Sequence, residues 1–192
     1  MVMKKTILLT LALIGSLLVS CQPGGDSGDW IDLSGSLDDW NQVGDANWRV
    51  EDGVFVADSG LGQLVTKQSF SDFQIQLEFW TDAGANSGVF IRASDPNDIT
   101  DKNAYEVNIF DTRPDQTYRT GSIVNIAPPS EIINTPNKWN TFDITADGTK
   151  LKVILNGVTT VDTEDDQLSS GPFTLQYGEG VVKFRNVRIR EL

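Results

Sequence analysis

The sequence predicts an all-β fold, a two-sheet jelly-roll sandwich. Three observations carry that expectation. Apolar and polar residues alternate with a period of two from Trp48 onward. Gly, Pro and Asn-Gly punctuate the chain at short intervals. No uncapped helical stretch runs beyond about two turns. Many short strands with such punctuation solve the burial problem by packing two sheets face to face.

The strands follow in order. Residues 48–50 and 54–56 flank Glu51-Asp52-Gly53, a hairpin signal. Residues 73–80 alternate cleanly, and 87–93 and 105–111 form two more strands. Residues 139–146 lead through Asp147-Gly148 into 150–155. Asn156-Gly157, flanked by β-formers, predicts a type I′ turn into 158–162. Residues 172–177 and 181–189 complete the set, and all seven prolines fall in loops or at a strand start, where a missing N–H is tolerated.

Composition narrows the chemistry. The 192 residues include 15 Lys and Arg against 27 Asp and Glu, for a net charge of −12, with one Cys and no His. Without His there is no Ser-His-Asp triad, no Cys-His dyad and no His-ligated zinc within the chain. One Cys excludes an intrachain disulfide. The acidic balance argues against a nucleic-acid partner, which needs clustered Lys and Arg. Acid–base work falls to carboxylates, Lys, Arg or Tyr.

The N-terminus accounts for the single Cys. Lys4 and Lys5 precede the apolar run 7–19, whose thirteen residues are short of the ~20 that span a bilayer. The run ends Leu18-Val19-Ser20-Cys21, which resembles a bacterial lipobox. This divides the chain into a lipoprotein signal peptide (1–20), a Gly/Pro/Ser/Asp-rich tether from lipidated Cys21 (21–29) and one β-sandwich domain (30–192). The expected partner there is a membrane, through lipid on Cys21. Gln22, rather than Asp, after the Cys points to the outer membrane of the bacterial cell envelope, on its periplasmic or surface face.

Alternation also assigns faces. In 73–80, Phe73, Ile75, Leu77 and Phe79 face the core, and Gln74, Gln76, Glu78 and Trp80 face out. In the next strands Phe90 and Arg92 face out, followed by Glu106, Asn108 and Phe110, then Gln176. If these strands are neighbours, one outer face gathers aromatics, amides, carboxylates and a guanidinium. A sugar offers an apolar C–H face and a rim of hydroxyls, which such a surface matches. A carbohydrate is therefore the expected ligand, bound by a monomer. Asp95, Asn97, Asp98 and Asp101 form a weaker candidate for Ca²⁺. Lys183, Arg185, Arg188 and Arg190 form a basic strand that balances the acidic surface.

Several segments in order resemble one family. They are 48–54 (Trp-Arg-Val-Glu-Asp-Gly-Val), 86–92 (Asn-Ser-Gly-Val-Phe-Ile-Arg) and 105–111 (Tyr-Glu-Val-Asn-Ile-Phe-Asp). Thr120-Gly121, Ala127-Pro128-Pro129, Lys138-Trp139-Asn140, Asn156-Gly157 and 182–192 follow. The chain from Trp30 to Leu192 is similar to the 3-keto-disaccharide hydrolase domain. That resemblance implies a concanavalin- or laminin-G-like jelly roll, and a hydrolase or lyase cleaving glycosidic bonds of 3-keto-disaccharides or related glycosides. It implies Glu106 or Asp111 as base or metal ligand, Glu78 as partner carboxylate and Arg92 as substrate or oxyanion clamp. Asn86, Asn108, Trp80 and Gln176 would contact substrate, and a divalent metal is a possible cofactor. Where family members carry His-Pro-Asp, this chain has Arg113-Pro114-Asp115. A non-catalytic carbohydrate-binding lipoprotein using the same face is the alternative reading. Two-carboxylate hydrolysis is a third, and needs two carboxyls roughly 5–9 Å apart.

The lipobox yields a test. Cys21→Ser should abolish incorporation of labelled fatty acid into the protein, measured in cells of the source bacterium or a lipidating host; undiminished labelling would refute the anchor.

Overall fold

The computed structural model describes residues 28–192. The expected leader (1–20), Cys21 and the tether through Ser27 lie outside the described residues. Thirteen strands are present among the described residues: β1 (Ile31–Asp32), β2 (Trp40–Gly44), β3 (Arg49–Glu51), β4 (Val54–Ala57), β5 (Gly62–Thr66), β6 (Phe73–Thr81), β7 (Asn86–Ile91), β8 (Tyr105–Ile109), β9 (Asn140–Asp147), β10 (Lys150–Leu155), β11 (Val158–Glu164), β12 (Thr174–Glu179) and β13 (Val182–Glu191). One 3₁₀ turn, Gln116–Tyr118, follows β8. The expected all-β sandwich is what forms.

The first sheet runs β11-β10-β9-β6-β13-β4-β3, with β1 pairing β13, and the second runs β2-β5-β12-β7-β8. Every strand pair is antiparallel. The core lies between the sheets. Phe73, Ile75, Leu77 and Phe79 of β6 are buried, as the alternation predicted, and Phe79 packs on Phe142 with ring centroids 4.8 Å apart. Trp40 of the second sheet joins the layers edge-on, 5.7 Å from Phe55 of the first and 5.3 Å from Phe173. Its indole N–H donates to the Leu33 carbonyl, so no polar atom of the ring is left bare.

Turn chemistry fixes the register. Asn156 and Gly157 both take positive φ (51° and 83°), as a type I′ hairpin requires, and Asp52-Gly53 does the same between β3 and β4 (49° and 79°). In β13 the register shifts between Arg185 and Arg188, around Asn186 with φ 52°. This bulge spends one residue, so Lys183, Arg185, Arg188 and Arg190 all stay on the outer face while Val182, Phe184, Val187 and Ile189 fill the core.

Arg92 departs from the sequence expectation. It was placed on an outer, ligand-facing position, but it is 1% exposed and has φ 54°. The left-handed conformation ends β7 and breaks the alternation, re-aiming the side chain. Its guanidinium donates to the Ser71 carbonyl (2.9 and 2.7 Å), the Gly148 carbonyl (2.8 Å), the Leu168 carbonyl (3.1 Å) and Asp72 Oδ1 (3.0 Å). It is a clamp on the chain itself and not a substrate clamp. β2 and β5, which the sequence did not disclose as strands, close the other edge of the second sheet.

Arg92→Met would leave three carbonyls without their donor, a loss of about 3–5 kcal/mol. Urea unfolding should show a lower midpoint at unchanged slope. Arg92→Lys should recover less than half, because an ammonium lacks the planar fork.

Candidate active site

The outer face of the second sheet builds a pocket from the register outward. Phe90 lies opposite Glu106 and Thr174, and Gly88 lies opposite Asn108 and Gln176. Gly88 leaves the floor bare beside Glu106. A methyl group there would stand 3.4 Å from Glu106 Cγ and Oε1 and 3.3 Å from the Val107 carbonyl. The Glu106 carboxyl thus lies over a glycine.

Two loops raise the walls. The 94–104 loop returns across Phe90, which is buried with Ala93 and Ala104 and packs against Ile99. Asn103 holds this loop, accepting from Thr100 N and donating to the Asp98 carbonyl, and Gln63 Nε2 donates to the Ile99 carbonyl (3.2 Å). The chain after β8 supplies Phe110, Arg113, Pro114 and Asp115. With Asn86, Ile99, Thr100, Asp101, Glu106 and Gln176, these enclose about 560 Å³, room for one or two sugar rings.

Glu106 is the pocket's most perturbed carboxyl. It is 8% exposed. Burial, and then the negative charge of Asp101, push its carboxyl up to about 7, while Arg113 pulls it back only in part. Among the described residues none donates a hydrogen bond to it. Nearby, Gln176 Oε1 is buried with no hydrogen-bond partner, an acceptor matched to a ligand hydroxyl. A carboxyl that titrates near neutrality can take a proton and return it.

The sequence-predicted site residues divide. Glu106, Asn86 and Gln176 do meet in this pocket, and Phe110 joins them. Asn108 sits beside it, fully buried, with its amide donating to the Tyr118 carbonyl. Asp111 is not a free base: its carboxylate accepts from Thr135 N (2.8 Å) and Thr135 Oγ1 (3.0 Å), and Arg119 Nη2 lies 3.2 Å away. It anchors the long connection to β9.

Glu78 and Trp80 lie on the opposite side of the molecule, because β6 belongs to the first sheet. The expected single face is therefore two faces. The carboxylate pair that two-carboxylate hydrolysis would draw from Glu78 and Glu106 is not assembled. Asp101 was read as a calcium candidate; it lines the Glu106 pocket and accepts from Asn125 Nδ2 (2.9 Å). Arg113, in the sequence a departure from the family's His-Pro-Asp, lines the pocket wall beside Pro114 and Asp115.

The first sheet carries a different arrangement on its outer face. Arg185 donates twice to Glu78 Oε2 (2.9 and 2.6 Å), and Asn186 donates to Oε1 (2.6 Å). Burial pushes Glu78 up, but these hydrogen bonds and the Arg185 charge outweigh it and hold the carboxyl below its ordinary range. Arg188 and Arg190 donate in the same way to Gln76 and Gln74, which both donate to Asp143. Trp80 lies beneath Lys183, with Nζ 4.9 Å from the ring centroid.

The pocket's donor set does not fit a divalent metal. Among the described residues no three Cys, Asp or Glu side chains converge into a cage, and Arg113 stands beside Glu106 with a fixed positive charge. Asp111, the other expected ligand, is occupied by Thr135 and Arg119.

The two packed antiparallel sheets form a sandwich of the kind seen in glycoside hydrolase-like and carbohydrate-binding proteins. The chain belongs to the family described as the 3-keto-alpha-glucoside-1,2-lyase-like domain, whose pattern matches residues 29–190. A solved structure of a provisionally named glycosyl hydrolase from Parabacteroides distasonis is similar over 85% of this chain and 100% of its own, at 25% identity and TM-score 0.73. A carbohydrate binding module from Bacillus subtilis covers 78% of this chain and 93% of its own, at 21% identity and TM-score 0.63; that likeness shows the fold. No curated protein sequence matches the chain.

The raised Glu106 carboxyl predicts a pH-dependent stability difference. Because the folded-state value exceeds the unfolded one, the wild type loses this group's contribution as pH rises from about 4.5 through 7. Glu106→Gln does not. Thermal unfolding should show the variant gaining on the wild type across that window, by at most about 3.5 kcal/mol at ~1.4 kcal/mol per unit. A difference that is constant with pH would contradict the burial argument.

Proposed function

We propose that the Glu106 pocket is the active site of a lyase or hydrolase that cleaves glycosidic bonds of sugars carrying a ketone at C3. The observation that carries this is Glu106 itself, a desolvated carboxyl titrating near neutrality beside a guanidinium. The family membership supports the substrate class.

The chemistry needs few groups. A C3 ketone acidifies the C2 proton. Glu106 removes it, and the electron pair moves into a C2–C3 double bond with the negative charge on the C3 oxygen. Arg113 stabilises that charge. The pair then returns to re-form the ketone, the C1–C2 double bond forms, and the C1–O bond breaks. The leaving oxygen takes up a proton. Addition of water across C1–C2 would complete hydrolysis. Phe110 offers an apolar surface to the ring, and Asn86 and Gln176 offer amides to its hydroxyls.

We further propose that lipid on Cys21 holds this domain at the cell envelope, on the sequence pattern at 1–21.

The soluble domain should release the aglycone or second sugar from a 3-keto-disaccharide. kcat/KM should rise with pH through an apparent pKa near 7, as a base must be ionised. Glu106→Gln should abolish the reaction. Arg113→Gln should lower the rate by about 10²-fold, and move the limb to higher pH because a positive charge is lost. Rates unchanged in Glu106→Gln, or no product at all, would sink the reading.

A further inference from the structure

The first sheet's outer face carries a second groove that the lyase chemistry does not use. It encloses about 720 Å³ and is lined by Trp30, Gln76, Glu78, Thr141, Asp143 and Arg188 among others. It lies across β6 and β9, on the sheet opposite Glu106.

Trp30 forms one wall. Arg188 and Arg190 are two residues apart on one strand and therefore project from the same face. Their Cζ atoms lie 4.6 and 4.9 Å from the Trp30 ring centroid. One indole thus spans both guanidinium groups, which hold it by cation–π attraction. It remains part-exposed and borders the groove. Each guanidinium is itself fixed by two N–H bonds to a glutamine oxygen of β6, at 2.6–3.0 Å. The platform is therefore built before any ligand arrives, which removes an ordering cost from binding.

The floor is polar and oriented. Gln76 Nε2 donates to Asp143 (2.8 Å), and Asn186 Nδ2 donates to Glu78 (2.6 Å). An amide nitrogen carries two hydrogens, so each keeps one for a ligand. Carboxylate oxygens of Asp143 and Glu78 keep acceptor sites on the same terms. The lining carries Asp32, Glu78 and Asp143 against Arg188, so the groove disfavours an anion such as a phosphate or a uronic acid. A flat aromatic beside planar amides and carboxylates matches an uncharged hydroxylated ring.

We propose that this groove binds intact, neutral oligosaccharide as a site separate from the catalytic pocket. It would hold glycan on one sheet while oxidised sugar is processed on the other. The proposal does not depend on the elimination chemistry, since unoxidised sugar has no acidified C2 proton.

The test is calorimetric titration of the soluble domain with cellohexaose, laminarihexaose and maltohexaose. At least one should bind saturably. Trp30→Ala and Gln76→Ala should each weaken it tenfold or more, Trp30→Phe should recover part of the loss, and Glu106→Gln should leave the affinity unchanged. If Trp30→Ala unfolds, Gln76→Ala and Trp30→Phe carry the comparison. Absence of heat from all three sugars overturns the proposal. So does loss of binding in Glu106→Gln, or unaltered affinity in Gln76→Ala and Trp30→Phe together. Turnover of a 3-keto-disaccharide, measured separately, stays intact in Trp30→Ala and Gln76→Ala, which distinguishes failure of this site from failure of the catalytic one.

Discussion

Five hydrogen bonds from one buried guanidinium tie the ends of the two sheets together. Arg92 closes β7 of the second sheet, and its partners come from the approach to β6, the β9–β10 turn and the β11–β12 loop. Those carbonyls lie where three chain reversals converge, and they have few backbone donors within reach. A planar fork satisfies them at once. The Glu106 pocket inherits this geometry. The positive φ at Arg92 sends the chain into the 94–104 loop, which covers Phe90 and brings Asp101 to the pocket wall. Burial of Glu106, and with it the raised proton affinity, therefore depends on an arginine whose guanidinium is bonded to the chain itself.

Two outer faces made of the same residue types have opposite chemistry, and register decides which is which. Glu78 lies opposite Arg185, so its charge is met by a neighbour in the ladder. Glu106 lies opposite Phe90 and leans over Gly88, so its charge is met by apolar surface and a nearby Asp101, which Arg113 offsets only in part. The first carboxylate is held ionised; the second is poised to exchange its proton. The same comparison is the basis for proposing a binding role for the first groove and a reactive role for the Glu106 pocket. Volume sets what fits, whereas desolvation without a partner sets what reacts.

Period two, Asn-Gly turns and the absence of long helices made the sandwich and the core side of β6 legible in the sequence. Local pattern also put Glu106, Phe110 and Gln176 on outward positions. What it did not contain was sheet membership. Alternation gives a residue's side of its own strand, not which sheet the strand joins, so Glu78 and Trp80 were grouped with Glu106 although the core separates them. Arg92 failed for another reason: one left-handed residue at the strand end inverts the direction that alternation assigns. β2 and β5 escaped notice because Gly44, Gly60 and Gly62 interrupt their apolar pattern, and their pairing is settled across the sheet, not along the chain. Arg113 and Asp101 sit in loops, where periodicity carries no information.

The Arg at position 113 constrains the proposed reaction more than it weakens it. A guanidinium keeps its proton at any working pH, so it can hold an oxyanion but cannot protonate a leaving group. Asp111 is held by Thr135 and Arg119 and is not available for the task. The proton for the departing C1 oxygen then comes from Glu106, which has just received one from C2, or from water. A carboxyl titrating near 7 is matched to both steps, since neither its ionised nor its neutral form is scarce near neutrality. One group serving both atoms must reach both from one side. The C2 hydrogen and the C1 oxygen would therefore leave from the same face of the ring, and a glycoside whose C1 oxygen and C2 hydrogen point to opposite faces would need water as its acid.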